Sequence, residues 1–291
     1  MPIYSNDSPI DWEEPDLVPR PVVTLGVVGL EAADWEVEDS DGDGDGDGGG
    51  GRVGPGKAHG QGTVFHAHRK GQFLLWMRGV LTCEVEGGFW LVPPGQGLWV
   101  PAGVSHRMET AGRVECYIVY VDPAAADALP AQCCTLAATP LLRELVIRSA
   151  ALPMRYPEDG MAPRLVALLL DELALAPAGT LHLPMPAQGR LRPLVDWMMA
   201  NPAERGSIDA CAARMDLSAR TLSRLIVRET GMSFGRWRRQ LHLLLALQWL
   251  AKGATVQDVA DGLGYENASN FVVMFRKALG EPPGRYLASR G

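Results

Sequence analysis

No run of about 18 consecutive apolar residues occurs in the 291-residue chain, so no transmembrane helix is expected. The first residues, MPIYSNDSPIDWEEPD, are acidic and lack the basic and apolar regions of a secretory leader, which points to a cytoplasmic protein. Cysteine is scarce. Cys83, Cys116, Cys133, Cys134 and Cys211 form no C-x-x-C pair and no disulfide framework, as suits reduced thiols. The adjacent Cys133 and Cys134 read as two small apolar residues at a domain edge rather than as a redox or arsenical sensor. Positive charge is short overall, with a formal net charge of −7, but it is unevenly spread. From Arg190 onward 15 Lys and Arg stand against 9 Asp and Glu, a net of +6, while the preceding residues carry 12 against 25, a net of −13. An acidic front and a basic back imply that only the back meets a polyanion. The acidic total also argues against a scaffold that coats nucleic acid without sequence preference.

What is present fits two domains. The length allows them, and an apolar content of 47% is enough to fill two cores. Residues 1–20 read as a tail. Residues 39–51, DSDGDGDGDGGGG, begin like an EF-hand loop, which needs a bidentate Glu at its twelfth position. Counted from Asp39, Asp41 or Asp43, the twelfth residue is Gly50, Arg52 or Gly54, so the stretch reads as a flexible, solvated loop over 39–60. Residues 62–122 contain TVFHAH, FLLWMRG, LTCEVEGG, FWLVPPG, GLWVPAG, HRMETAG and VECYIVYVD. Short strands at this spacing predict a β-sandwich or barrel within 21–138, with PVVTLGVVG at 21–29 as a further strand. Helical periodicity takes over in TPLLRELVIRSAAL and MAPRLVALLLDELALAP, giving connecting or dimerisation helices over 139–180. A linker over 181–189 and a helical domain over 190–291 complete a mixed class, β first and then all-α.

The helical domain contains a repeat. Offset by 48, Ile208, Cys211, Ala212 and Met215 match Val256, Val259, Ala260 and Leu263. Offset by 49, Leu222, Ile226, Gly231 and Trp237 match Phe271, Phe275, Gly280 and Tyr286. Each copy is a short helix, a turn and a longer helix. Small Ala212 and Ala260 allow close packing, and Asp216 and Gly264 tolerate a left-handed turn. Ser218 and Asn267 are suited to cap the second helices, and Gly231 and Gly280 to end them. This is the helix-turn-helix layout, which places its second helix in the major groove. A helix over about 234–252 joins the copies.

The stretches LSARTLSRLIVRETGMSFGRW and VADGLGYENASNFVVMFRKALGEPPGRY resemble the AraC/XylS family of transcription regulators, over about residues 190–288. The resemblance implies that Arg220, Ser223 and Arg224 face the bases. The apolar pattern agrees, because an inward Leu222, Leu225 and Ile226 leave Arg220, Ser223, Arg224 and Arg228 outward, with Thr221 beside them. In the second copy Ala268, Ser269, Asn270, Val272 and Val273 occupy the base-facing stretch, and Arg276 and Lys277 are candidate phosphate contacts. Val272 and Val273 stand where the family is usually polar or basic. Since Val can only touch a thymine methyl, weaker or more shape-driven readout is expected from this half. The joining helix carries Leu244, Leu245 and Leu247 where relatives often carry charge, so those leucines are expected to be covered, by the front domain or its helices.

In the front domain the pattern is His66-x-His68, three residues, Gln72, six residues, Gly79, then Gly95, five residues, Pro101-x-Gly103-x-x-His106. On a strand His66 and His68 share a face. The spacing resembles the two motifs of the cupin barrel, and the resemblance implies metal ligands at His66, His68, Gln72 and His106. The family's Glu is Gln72 here, a neutral and weaker ligand that removes one compensating charge. With Trp76 and Trp99 these residues are candidates for an effector pocket, a divalent metal being the narrower option.

Two function classes follow. The first is a sequence-specific regulator on double-stranded promoter DNA. It would be controlled by a small molecule or metal in the cupin-like domain, act as a homodimer, and contact RNA polymerase if it activates. The second is a metal-dependent cupin enzyme, such as a dioxygenase or isomerase, fused to a DNA-binding domain. Gln72 and the fusion both favour the first, which makes the chain a non-enzyme.

Overall fold

The computed structural model describes residues 3–4, 14–31, 37–38, 52–53, 64–179, 182–185, 191–204 and 206–288. The chain forms two compact units, Met1–Val85 with Val92–Thr180, and Glu86–Leu91 with Leu181–Gly291. Its strands before the first helix are β1 (Ile3–Tyr4), β2 (Val22–Glu31), β3 (Val37–Glu38), β4 (Arg52–Val53), β5 (Gly71–Val85), β6 (Gly88–Val92), β7 (Gln96–Val100), β8 (His106–Val121) and β9 (Cys134–Ala137). Then come helices α1 (Pro140–Ala150) and α2 (Met161–Leu175), strand β10 (His182–Pro184), and α3 (Arg192–Ala200), α4 (Ile208–Arg214), α5 (Ala219–Thr230), α6 (Phe234–Ala251), α7 (Val256–Gly262), α8 (Ala268–Leu279) and α9 (Pro283–Ala288).

Two long antiparallel strands, β5 and β8, form the spine of the first unit. β2 pairs antiparallel with the last part of β8, and β7 with the first part of β5. β1 adds to β2 in parallel, and β9 adds to β7. Strands expected to be separate are therefore continuous: FLLWMRG and LTCEVEGG are one strand, and so are HRMETAG and VECYIVYVD. Gly79, between the two stretches of β5, stands at a bulge. Register shifts fall between Trp76 and Val80, where Gly79 has a φ of 75° and a Cβ would meet Arg113 O at 2.7 Å. Only a residue without a side chain lets β5 bend there and go on pairing. The expected strand TVFHAH is reduced to one bridge, His66 to His106. The Asp/Gly run lies outside the described residues, but Arg52 and Val53, placed with that loop, form β4 and pair with β3.

Parity along β5 sorts its residues between two faces. Phe73 and Leu75 join Trp99, Tyr117, Val119 and Val121 in an apolar cluster against Leu142, Val146, Val166 and Leu169 of α1 and α2. Gln72, Leu74 and Trp76 point to the opposite face. Full burial contributes about 1.5–3 kcal/mol for each large apolar side chain, so this cluster holds α1 and α2 against the sheet. Thr139 starts α1 by accepting from Leu142 N at 3.1 Å.

The second unit is helical apart from β10 and most of β6, which pair antiparallel, Leu183 opposite Phe89. The stretch expected as a plain linker thus carries a strand. Trp90 stacks on His182 with ring centroids 3.9 Å apart, and Trp237 Nε1 of α6 donates to Pro184 O at 2.7 Å. Leu244, Leu245 and Leu247 of α6 are buried, with β10, α5 and α7 packed against that helix.

Candidate nucleic-acid interface and buried histidine site

The repeated helix pairs are built alike. α4 and α7 pack through buried Cys211, Ala212, Val259 and Ala260. The turns use the left-handed region at Asp216 (φ 52°) and Gly264 (φ 75°). Ser218 Oγ accepts from Thr221 N at 3.2 Å to start α5, and Asn267 Oδ1 accepts from Asn270 N at 2.9 Å to start α8. Gly231 and Gly280 end these helices in the left-handed conformation. A cap supplied at each start and stop fixes which residues fall on the outer face.

On α5, Leu222 and Ile226 are buried while Arg220, Thr221, Arg224 and Arg228 are exposed and Ser223 is half-buried. Arg228 Nη2 lies 3.1 Å from Glu229 Oε1, which ties one of the four to its neighbour. On α8, Phe271 and Phe275 are buried and meet edge to face in a row that runs on to Tyr286. Ser269, Asn270, Arg276 and Lys277 are exposed, Ala268 and Val272 are half-buried, and Val273 is 67% exposed. An aliphatic side chain so open to solvent contributes nothing to its own core. Arg238 of α6 is another matter: its guanidinium donates to Gly206 O at 2.9 Å and Glu204 O at 2.6 Å, which braces the segment that enters α4. No sequence signal separates this structural arginine from the outward ones.

The histidine site lies in the first unit. His66, on the segment before β5, and His106, at the start of β8, are held together by mutual main-chain hydrogen bonds of 2.9 and 2.8 Å. His68 O accepts from Gly103 N at 2.8 Å. Ring centroids are 4.5 Å apart for His66 and His106, 5.0 Å for His66 and His68, and 5.6 Å for His68 and His106. All three are buried, and one ring nitrogen of each lies within 4.8 Å of those of the others. His66 Nδ1 donates to Val64 O and His106 Nδ1 to Val104 O, both at 2.9 Å. A carbonyl only accepts, so the proton of each neutral ring sits on Nδ1 and the lone pair on Nε2. Burial pushes the His106 pKa down to about 4, and it lowers that of His66, against the hydrogen bond to Val64 O. Nε2 of all three rings has no hydrogen-bond partner, and neither has His68 Nδ1, Gln72 Oε1 or Gln72 Nε2.

Sequence reasoning missed Asp16. Its carboxylate accepts from Arg69 N at 3.0 Å and Lys70 N at 2.9 Å, and Oδ2 lies 3.4 Å from His68 Nδ1. Burial would raise its pKa, but the contacts with His68 and the two amides hold it below the usual carboxylate value. Lys70 is itself buried, with Nζ donating to Val18 O at 2.7 Å and Arg20 O at 3.0 Å.

The structure brings His66, His68 and His106 together, with Gln72 beside Tyr120 and the Tyr120 ring 5.5 Å from that of His68. It does not bring in the two tryptophans. Trp76 shares the face of Gln72 but lies four residues on, about 13 Å along the strand. Trp99 sits opposite Phe73, in the cluster under α1 and α2, with Nε1 donating to Pro130 O at 2.7 Å. Strand parity makes it a core residue.

Comparison with known proteins agrees with this division. Residues 54–183 match the AraC-like ligand binding domain and residues 211–289 the helix-turn-helix domain. The HTH-type transcriptional regulator NimR of Escherichia coli K12 is 43% identical over 223 residues, which is 77% of this chain and 81% of that protein. The HTH-type transcriptional activator RhaS of Yersinia pestis is 33% identical over 97 residues, 33% of this chain and 36% of its own. The DNA-binding domain of AdpA, solved in complex with a target DNA, aligns with 35% of this chain and 93% of its own, at 27% identity and a TM-score of 0.33. The protein is a DNA-binding transcription regulator that carries a ligand-binding domain. More particularly, the chain belongs to the AraC family of helix-turn-helix regulators. Among the described residues no helix is long and apolar enough to cross a membrane.

Proposed function

We propose that this regulator is controlled through the histidine site, and that the site takes a divalent transition metal, alone or as the anchor of a small-molecule effector. The supporting observation is the buried, unpartnered Nε2 of His66, His68 and His106, which the carbonyls fix as a lone pair on His66 and His106. Buried acceptors left without a partner cost about 1–3 kcal/mol each, and a cation relieves all three at once. An anion would face the lone pairs of His66 and His106, with the Gln72 amide as the one neutral donor among the site's unpartnered atoms. Three imidazoles and an amide oxygen from Gln72 suit zinc, cobalt, nickel or iron(II) better than calcium or magnesium. When bound, such a metal would supply a Lewis-acid centre held by the three imidazoles. The protein's own contribution is to hold the rings apart from solvent and in one tautomer. Sensing rather than turnover is the role argued for it, because the chain's other unit is an output device.

DNA contact is assigned to Arg220, Thr221, Ser223, Arg224 and Arg228 of α5 and to Ala268, Ser269, Asn270, Val272, Val273, Arg276 and Lys277 of α8. The targets are promoter DNA in the cytoplasm, with RNA polymerase as a further partner if the output is activation. A second copy of the chain is the partner proposed for α2. Met161, Leu168 and Leu175 are 58%, 43% and 77% exposed and seven residues apart, which sets them in one line along the helix. In an antiparallel pair centred on Leu168, Met161 meets Leu175 and Arg164 meets Glu172, so the stripe is self-complementary in shape and charge.

Control by metal is tested by measuring binding to the DNA upstream of the protein's own gene, with chelator and with added zinc. A several-fold change in affinity is expected in wild type and not in His106→Ala. Equal affinity in both conditions would reject the reading.

A further inference from the structure

Gln72 leaves a problem of charge. Three neutral imidazoles and a neutral amide would surround a buried dication with no negative ligand, and uncompensated buried charge is costly. The missing charge stands one atom further out. Asp16 is buried, its Oδ2 lies 3.4 Å from His68 Nδ1, and Glu14 brings a second carboxylate oxygen within 4.8 Å of the same pair. His66 and His106 give their Nδ1 protons to carbonyls, so His68 alone of the three faces a carboxylate on that side. Both ring nitrogens of His68 are buried and lack a hydrogen-bond partner, Nδ1 standing at ion-pair distance from Asp16.

We infer that Asp16 is a positioning residue of the histidine site: it holds the His68 proton on Nδ1, turns Nε2 towards the cation, and supplies the negative charge that Gln72 lacks. This rests on the metal reading above. The carboxylate does not touch the metal. It acts through the imidazole, whose basicity and orientation it sets, as outer carboxylates do for histidine ligands. The main-chain amides of Arg69 and Lys70 fix the carboxylate in turn, so the acceptor is in place before any metal arrives.

The probe is cobalt(II), titrated into the metal-free full chain and followed by its visible absorption. Wild type is expected to bind one equivalent. Asp16→Asn keeps the side-chain shape and is expected to bind about 10–100-fold more weakly. Arg69→Ala is the control for anchoring. It removes the guanidinium bonds to Asp16 O and leaves the carboxylate, so its affinity is expected to stay within about threefold of wild type. A wild type that binds no cobalt overturns the metal reading itself. A wild type that binds, with Asp16→Asn unchanged or with Arg69→Ala weakened equally, overturns the role of Asp16 alone. Should Asp16→Asn fail to fold, proton NMR of the cobalt-loaded wild type decides the matter. Three slowly exchanging, hyperfine-shifted imidazole N–H signals are expected, and finding only two would mean that Asp16 does not hold the His68 proton.

Discussion

At the scale of single residues, legibility depended on how far the chemistry sits from its own motif. His66 and His68 are readable because strand-like alternation forces i and i+2 onto one face, and Gln72 because β5 continues from them. The place of Trp99 in the core is not legible, since its face is set by its partner Phe73, and that register exists only once the sheet is formed. Asp16 was invisible: it reaches His68 from a short turn far upstream, with no pattern tying the two. The arginines of α5 sort more cleanly. Arg224 is exposed on the outer face of the helix, clear of the buried Leu222 and Ile226. A bidentate guanine contact is worth about 1–3 kcal/mol, so Arg224→Ala is expected to weaken binding about 10–100-fold and relax preference at one base pair. Lys277→Ala should instead weaken binding evenly across sequences and reduce its salt slope by about one. A base-by-base binding scan reads both, and an unchanged sequence preference for Arg224→Ala would remove it from the reading face. The same scan is expected to find the half-site under α8 less stringent, since exposed Val273 offers no hydrogen bond.

At the scale of elements, the helix pairs were legible because caps, small residues and glycines act locally. What lay beyond sequence was which glycine is merely left-handed and which is also enclosed. Gly231 has a φ of 67° with nothing within 4 Å of an added Cβ, whereas Gly264 has a φ of 75° and its Cβ would meet Ala203 O at 2.1 Å. Gly231→Ala is expected to cost about 1–2 kcal/mol, the left-handed penalty alone. Gly264→Ala adds overpacking against main chain and should cost about 2–5 kcal/mol in urea melts. Similar losses would mean that the turn relaxes freely. On α6, burial and then the charge of Arg238 push the His242 pKa down to about 4 from an ordinary 6.5. The folded state therefore resists a proton that the unfolded chain accepts. Stability is intact above about pH 6.5, falls as the pH drops towards about 4, and levels off below, for a loss of about 3 kcal/mol. His242→Gln should flatten that part of the pH dependence between pH 7 and 4. An unchanged slope would assign it to other groups.

At the scale of the whole molecule, the two helices proposed to contact DNA would make a short reader in one chain, and a second copy would double the phosphates and bases engaged. The α2 stripe is where association is expected, and its seven-residue spacing fits a helix that a partner follows along its length. Leu168 sits at the centre of the antiparallel register, so in a symmetric pair it packs against its own copy. Leu168→Glu then sets two carboxylates against each other in a seam that should be dry, and it loses about 1.5–3 kcal/mol of apolar burial from each chain. Wild type is expected to sediment at twice the mass of one chain at micromolar concentration, and Leu168→Glu at the mass of one. The same variant should keep the affinity of a single chain for a half-length DNA site while losing the gain from a full-length one. Arg164→Glu with Glu172→Arg offers the complementary check, since each change alone opposes like charges across the seam and the pair restores attraction. Restored association in the double variant supports the antiparallel register. A wild type that remains monomeric, or a Leu168→Glu chain that still pairs, would move the dimer to another surface.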